Sequence, residues 1–187
     1  MNDVDYTEQF LHTGSSEPVL FETNAPIDKK HFYDFNIFNY TKRDPVLFYI
    51  LLISGAFLIL LSFITFAAHL IRSGICGVLM GIFAILFIFF MSKIIAANSF
   101  KSPFTNGNIE NYRFYREHFV CSNHFTVSVI PYNIITDAHE TEEYFFLYIS
   151  KNDAHIIPKN SFIISTPQEM RVMLSMNLGN RFTVHCI

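Results

Sequence analysis

Two long runs without a charged residue, Val46 to Ala68 and Ser73 to Ser92, constrain this chain more than anything else in it. As helices rising 1.5 Å per residue they would measure about 35 Å and about 30 Å, each enough to cross the hydrocarbon core of a bilayer. Helices buried in a soluble core normally keep a polar face, and neither run has one. The reading is therefore two transmembrane helices. The link between them, His69 to Arg72, is so short that they must run antiparallel, which puts both outer ends on one side. Lys42, Arg43, Lys93 and Lys101 flank those outer ends against Arg72 alone in the link, so the positive-inside rule predicts cytoplasmic termini.

The segments before the first run are of a different kind. Residues 1–17 are polar and too poor in apolar side chains to offset the entropy of ordering them, so a flexible tail is expected. Within 18–44, Pro18 to Glu22 suits a short strand and Asp28 an N-cap. A helix follows in which Phe32, Phe35 and Phe38 recur at helical spacing, as in an amphipathic helix lying at the membrane interface. Asp44 and Pro45 offer a second helix start, with Asp as the cap. No signal-peptide pattern, prenylation box or myristoylation glycine is seen, so attachment is assigned to the helix hairpin, residues 45–95.

After Lys101 the pattern changes to short runs rich in β-branched and aromatic residues, separated by turn residues. Strands are expected at Ile109 to Tyr115, Phe119 to Ser122, His124 to Ile130, Asn133 to Asp137, Tyr144 to Ser150 and Ala154 to Pro158. Thr166, Pro167 and Glu169 form a capping box that starts a helix over 167–178, which Gly179 stops. The tail 181–187 alternates Phe182, Val184 and Cys186, as an edge strand would. The fold class is membrane α+β: a two-helix hairpin and a cytoplasmic antiparallel β domain over 101–187, closed by one helix.

Layout and local strings resemble the bacterial YcxB-like family of small membrane proteins. The strings are IDKKHFYDF (Ile27 to Phe35), EYFFLYIS (Glu143 to Ser150) and AHIIPKNSF (Ala154 to Phe162), with Ile156, Ile157, Pro158, Lys159 and Phe162 the most specific. The resemblance implies a C-terminal domain similar to the pleckstrin-homology architecture, strands followed by one capping helix, in a bacterial cell membrane. It supplies no activity and no catalytic residues.

The residues themselves point away from chemistry. A net charge of −3 does not suggest a nucleic-acid partner. Cys76, Cys121 and Cys186 are far apart and odd in number, which indicates neither a disulfide framework nor a zinc site, and Cys121 is expected in the core. Asp137, His139, Glu140, Glu142 and Glu143 are acidic enough to invite a metal reading, but no ligand spacing is present and a solvated hairpin turn is expected instead. His118, His124, His155 and His185 stand singly. With no nucleophile elbow and no glycine-rich phosphate loop, no enzyme activity, catalytic residue, metal or cofactor is predicted.

What remains is packing and binding. Gly77 and Gly81 make a GxxxG step that lets another helix approach closely, expected within the hairpin near Ser62 to Phe66, with dimerisation the alternative. Lys151, Lys159 and Arg171 are candidates for contact with anionic lipid headgroups, against the reading of ordinary surface cations. The function expected is a non-enzymatic, membrane-anchored binding or regulatory module, its partners the bilayer and a protein or anionic lipid at the inner leaflet. The alternatives are self-protection against a membrane-active toxin and a domain that contacts inner-leaflet lipid. The oligomeric state is not encoded in any motif.

Overall fold

The computed structural model describes residues 17–26, 28–100, 109–123, 126–151 and 153–185. The expected tail up to Ser16, the helix-breaking turn at Pro103 and Asn106-Gly107, the His124–Phe125 start of the third expected strand, and Cys186 lie outside these residues. The chain forms two compact units: Met1–Ile27 together with Phe104–Ile187, and Asp28–Pro103.

In the helical unit, α1 (Lys29–Phe38) starts at a reciprocal cap. The Asp28 carboxylate accepts from the His31 N–H at 2.9 Å, and His31 Nδ1 accepts from the Asp28 N–H at 3.3 Å. Two of the amides that a helix start leaves without partners are thereby satisfied. The helix runs on into a π-helical turn, Asn39–Arg43. Helix α2 (Val46–Ala67) is capped at Pro45 rather than Asp44, with no side-chain cap bond; the Asp44 N–H closes the π turn on Asn39 O at 2.8 Å. Helix α3 (Ile71–Phe100) is longer than the expected second span, because nothing after Lys93 breaks it before Phe100. It bends by 44° between Ile71–Phe87 and Phe89–Ile95. By length and composition α2 can cross a membrane by itself, and α3 can do so if its two arms count as one span.

Only Gly55 and Ser62 of α2 are buried, and apolar side chains such as Ile53, Phe57, Leu60 and Ile64 are exposed. Glycine decides how closely α2 and α3 meet. A Cβ on Gly81 would lie 2.6 Å from the Gly55 carbonyl oxygen, and one on Gly55 would lie 2.7 Å from the Gly81 carbonyl oxygen. Gly77 sits against Ser62, and Gly74 against the Phe66 ring. As position numbers rise on α2 their partners fall on α3, so the helices are antiparallel. α1 also packs on α3.

The other unit has two sheets. Strands β1 (Phe21–Pro26), β2 (Ile109–Phe114), β3 (His118–Ser122), β4 (Val127–Pro131) and β8 (Phe162–Ile164) form the first, in the order β4-β3-β2-β1-β8. Strands β5 (Asp137–Glu140), β6 (Tyr144–Tyr148), β7 (Ala154–Pro158) and β9 (Phe182–Val184) form the second, in the order β7-β6-β5-β9. β1 pairs antiparallel with β2 from Phe21↔Phe114 to Pro26↔Ile109, so the whole helical unit is an insertion between two hydrogen-bonded strands. The all-antiparallel expectation fails at β9, which pairs parallel with β5 from Ala138↔Phe182 to Glu140↔Val184. The edge strand expected in the tail 181–187 forms as β9, which follows α4 (Pro167–Leu178) and ends its sheet.

The core draws on both sheets and α4. Phe21, Tyr112, Phe114, Phe119, Phe145, Leu147, Ile157, Met170 and Leu174 belong to one buried cluster. Rings stack within it, Phe114 on Phe119 at 5.2 Å between centroids. The expected strand at Asn133–Asp137 is displaced. Pro131 leads into a single 3₁₀ turn, Tyr132–Ile134, whose buried Tyr132 donates its hydroxyl to Tyr115 O at 2.9 Å, and the strand starts only at Asp137.

Helix α4 begins as its sequence dictates. The Glu169 N–H donates to Thr166 Oγ1 at 3.4 Å, and the Thr166 N–H donates to the Glu169 carboxylate at 3.0 Å. Ser165, held at φ 69, adds its hydroxyl to the same carboxylate. Replacing Thr166 by Ala is expected to cost about 1 kcal/mol, the usual worth of an N-cap, read as a lower urea midpoint at unchanged slope.

Candidate functional site

Among the described residues of the β unit, two polar clusters each join elements that are distant in sequence. The first is centred on Glu140, the last residue of β5, which is only 1% exposed. Arg171, one turn into α4, reaches it with two donors, Nε to Oε2 at 2.6 Å and Nη2 to Oε1 at 2.7 Å. Lys159 donates its Nζ to Oε1 at 2.6 Å and also lies 5.1 Å from the centre of the Phe145 ring. Burial alone would raise the pKa of this carboxyl. The hydrogen bonds and charges of Arg171 and Lys159 outweigh burial and hold it below the usual range. The arrangement ties β5, the turn after β7 and α4 together through one carboxylate.

The second cluster lies between the sheets. Glu110 and Tyr112 are two apart on β2 and so project from the same face, Cys121 is opposite Tyr112 on β3, and His155 comes from β7 of the other sheet. One ligand-type atom each from Glu110, Cys121 and His155 falls within 4.8 Å of the others. The Tyr112 hydroxyl is hydrogen-bonded to the Glu110 carboxylate and lies 3.3 Å from His155 Nδ1. Nε2 of His155 is buried with no hydrogen-bond partner among the described residues. Burial dominates the electrostatics here: it raises the Glu110 carboxyl, pushes the Cys121 thiol up to about 12, and pushes His155 down to about 4.

A shorter chain of polar groups joins β5 to β9: His139 Nε2 lies 2.6 Å from Asp137 Oδ2, and His139 Nδ1 lies 3.1 Å from His185 Nε2. Both ring nitrogens of His139 therefore face protein partners.

A protein-family model, YcxB-like protein, matches residues 114–174. This chain carries a YcxB-like domain. The match starts at the last residue of β2 and runs through β3 to β8 into α4, so it contains the whole Glu140 cluster and the Cys121 and His155 half of the other. The helical unit, β1, most of β2 and β9 lie outside it. No curated protein and no solved structure matches the chain.

Of the residues singled out in the sequence, Gly77 and Gly81 lie against α2 of the same chain. Lys159 and Arg171 come together, but on Glu140, and Lys151 lies elsewhere, in the exposed turn after β6. The acidic run expected as a solvated turn is half strand: Asp137, His139 and Glu140 belong to β5, and only Thr141 to Glu143 form the turn of the YcxB-like domain. Sequence reasoning passed over Glu110 and Tyr112, placed Cys121 in the core, where it is buried, and took His155 for a lone residue. Their signal was the same-face pair Glu110-x-Tyr112, which carries no message until β3 and β7 are placed beside it.

Proposed function

We propose that this chain is a non-enzymatic, membrane-anchored binding module, in which α2 and α3 cross the bacterial cell membrane as a hairpin and the YcxB-like domain meets its partner at the cytoplasmic face. One observation carries the reading, the pairing of β1 with β2 on either side of the helical unit. A chain that leaves a sheet after Pro26 and rejoins it at Ile109 has to cross a bilayer an even number of times. If α2 crosses, α3 returns. The 30 residues of α3 amount to about 45 Å of helix, enough to span the core despite the bend. The exposed apolar side chains of α2 would meet acyl chains rather than water.

A protein partner suits the YcxB-like domain better than a lipid surface. Two of the three candidate lipid-contact cations, Lys159 and Arg171, are engaged by the Glu140 carboxylate. β8 is the edge strand of its sheet, with Ile163 and Ile164 exposed, which is the geometry a partner strand can extend.

Thiol labelling of intact cells tests the arrangement. His69→Cys in the link and Lys151→Cys in the domain would each be introduced with Cys76 changed to Ser. The expected result is that an impermeant reagent reaches position 69 from outside and position 151 only after permeabilisation. Labelling of both from the same side would overturn the hairpin reading.

A further inference from the structure

We infer that Glu110, Cys121 and His155 form a binding site for a transition-metal dication of the zinc class, with the Tyr112 hydroxyl holding the Glu110 carboxylate in position. The donor set suits such an ion. Carboxylate, thiolate and imidazole are the side-chain groups that zinc takes, and a thiol beside an imidazole favours zinc, cobalt or copper over magnesium and calcium. The three donor atoms also converge, lying within 4.8 Å of one another. Ligand bonds of about 2.0–2.3 Å require donor separations of roughly 3.5 Å in a tetrahedron. The donors therefore draw together by up to about 1 Å on binding.

A purely structural polar cluster would leave its donors satisfied by one another, since buried polar groups in folded proteins nearly always find partners. Here His155 Nε2 is buried without one among the described residues, and the ring is in edge contact with Tyr112 and Phe119, at 5.5 and 5.3 Å between centroids. The hydrogen bond from Tyr112 to Glu110 is the kind of outer contact that orients a ligating carboxylate. The ligands come from β2, β3 and β7, so a bound ion would clamp the two sheets across the core, with a fourth position left for water. On binding, the Cys121 S–H bond breaks, the sulfur electron pair bonds the metal, and the proton passes to solvent.

Cobalt(II) is the probe, added to the full chain in mild detergent after chelator treatment, because it fills zinc sites and reports sulfur ligation by colour. The expected result is one equivalent bound, with a thiolate-to-cobalt charge-transfer band and the strong visible bands of a tetrahedral ion, both abolished by zinc. Cys121→Ser should remove the charge-transfer band. His155→Gln should weaken binding by about 100-fold or more, and Tyr112→Phe by roughly 10-fold with the band kept, the range seen for outer-contact losses. Glu110→Gln, at a partly buried position that keeps its shape, is the variant least prone to misfolding, and it should also weaken binding while leaving the circular dichroism spectrum unchanged. No charge-transfer band in the unmodified chain, or an undiminished band in Cys121→Ser, would overturn the site. So would unchanged affinity in both Glu110→Gln and His155→Gln.

Discussion

Arg171→Met is expected to destabilise the YcxB-like domain by about 3 kcal/mol, the lower end of what removing one partner from a buried ion pair costs. The Glu140 side chain is 2% exposed, so water cannot replace the lost guanidinium, and Lys159 alone has to neutralise it. Arg171 is itself 44% exposed, which is why the lower end applies. Hydrogen exchange at the β5, β6 and β7 amides of the full chain in detergent would measure the change. Replacing all three residues together, Glu140→Leu with Lys159→Met and Arg171→Met, should recover most of the loss, because the buried carboxylate is removed along with both of its cations. A change below about 1 kcal/mol in Arg171→Met would mean that solvent already screens the cluster. The same carboxyl sets an acid response. Its folded pKa lies below the ordinary 4.5, so its contribution is complete above that value and is lost as pH falls through the folded value. Glu140→Gln should flatten that part of the pH profile.

Gly81→Leu is expected to separate α2 from α3, at about 3 kcal/mol or more. Overpacking a fitted core typically costs about 1–3 kcal/mol, and here the clash is with backbone that cannot rotate away. The new Cβ would lie 2.6 Å from the Gly55 carbonyl oxygen and 2.7 Å from Ile59 Cγ1. Protease sensitivity of the link and the thermal midpoint in detergent would both report it. Leu79→Ala, on the same helix at a position 61% exposed, serves as the comparison and should leave both nearly unchanged. If Gly81→Leu instead converted a dimer into a stable monomer, the GxxxG face would be joining two chains.

How much of this was legible beforehand depended on whether the physics was local. The α4 start could be read because a capping box needs only Thr166, Pro167 and Glu169 in sequence, and the structure closes it with those residues. Two of the YcxB-like strings, Glu143 to Ser150 and Ala154 to Phe162, were legible for the same reason, lying within the contiguous stretch 114–174. The strand assigned to Asn133–Asp137 was misplaced because its true start depends on Tyr132 anchoring to Tyr115, a bond across 17 positions. Glu140 looked like a solvated acid because its two cations stand 19 and 31 positions away.

By itself the sequence determined an uncharged α2, the cap of α4, a β-rich domain after the helices, and the YcxB-like character of that domain. Each follows from hydropathy, periodicity or capping within a few turns of chain, where neighbours in sequence are neighbours in space. Only the tertiary structure decided that β1 joins β2 across the helical unit, that β9 runs parallel to β5, that Lys159 and Arg171 serve Glu140, and that Glu110, Cys121 and His155 converge. Those are pairings between distant positions. They are fixed by burying the aromatic core between two sheets, and no short window of residues contains both halves of any of them.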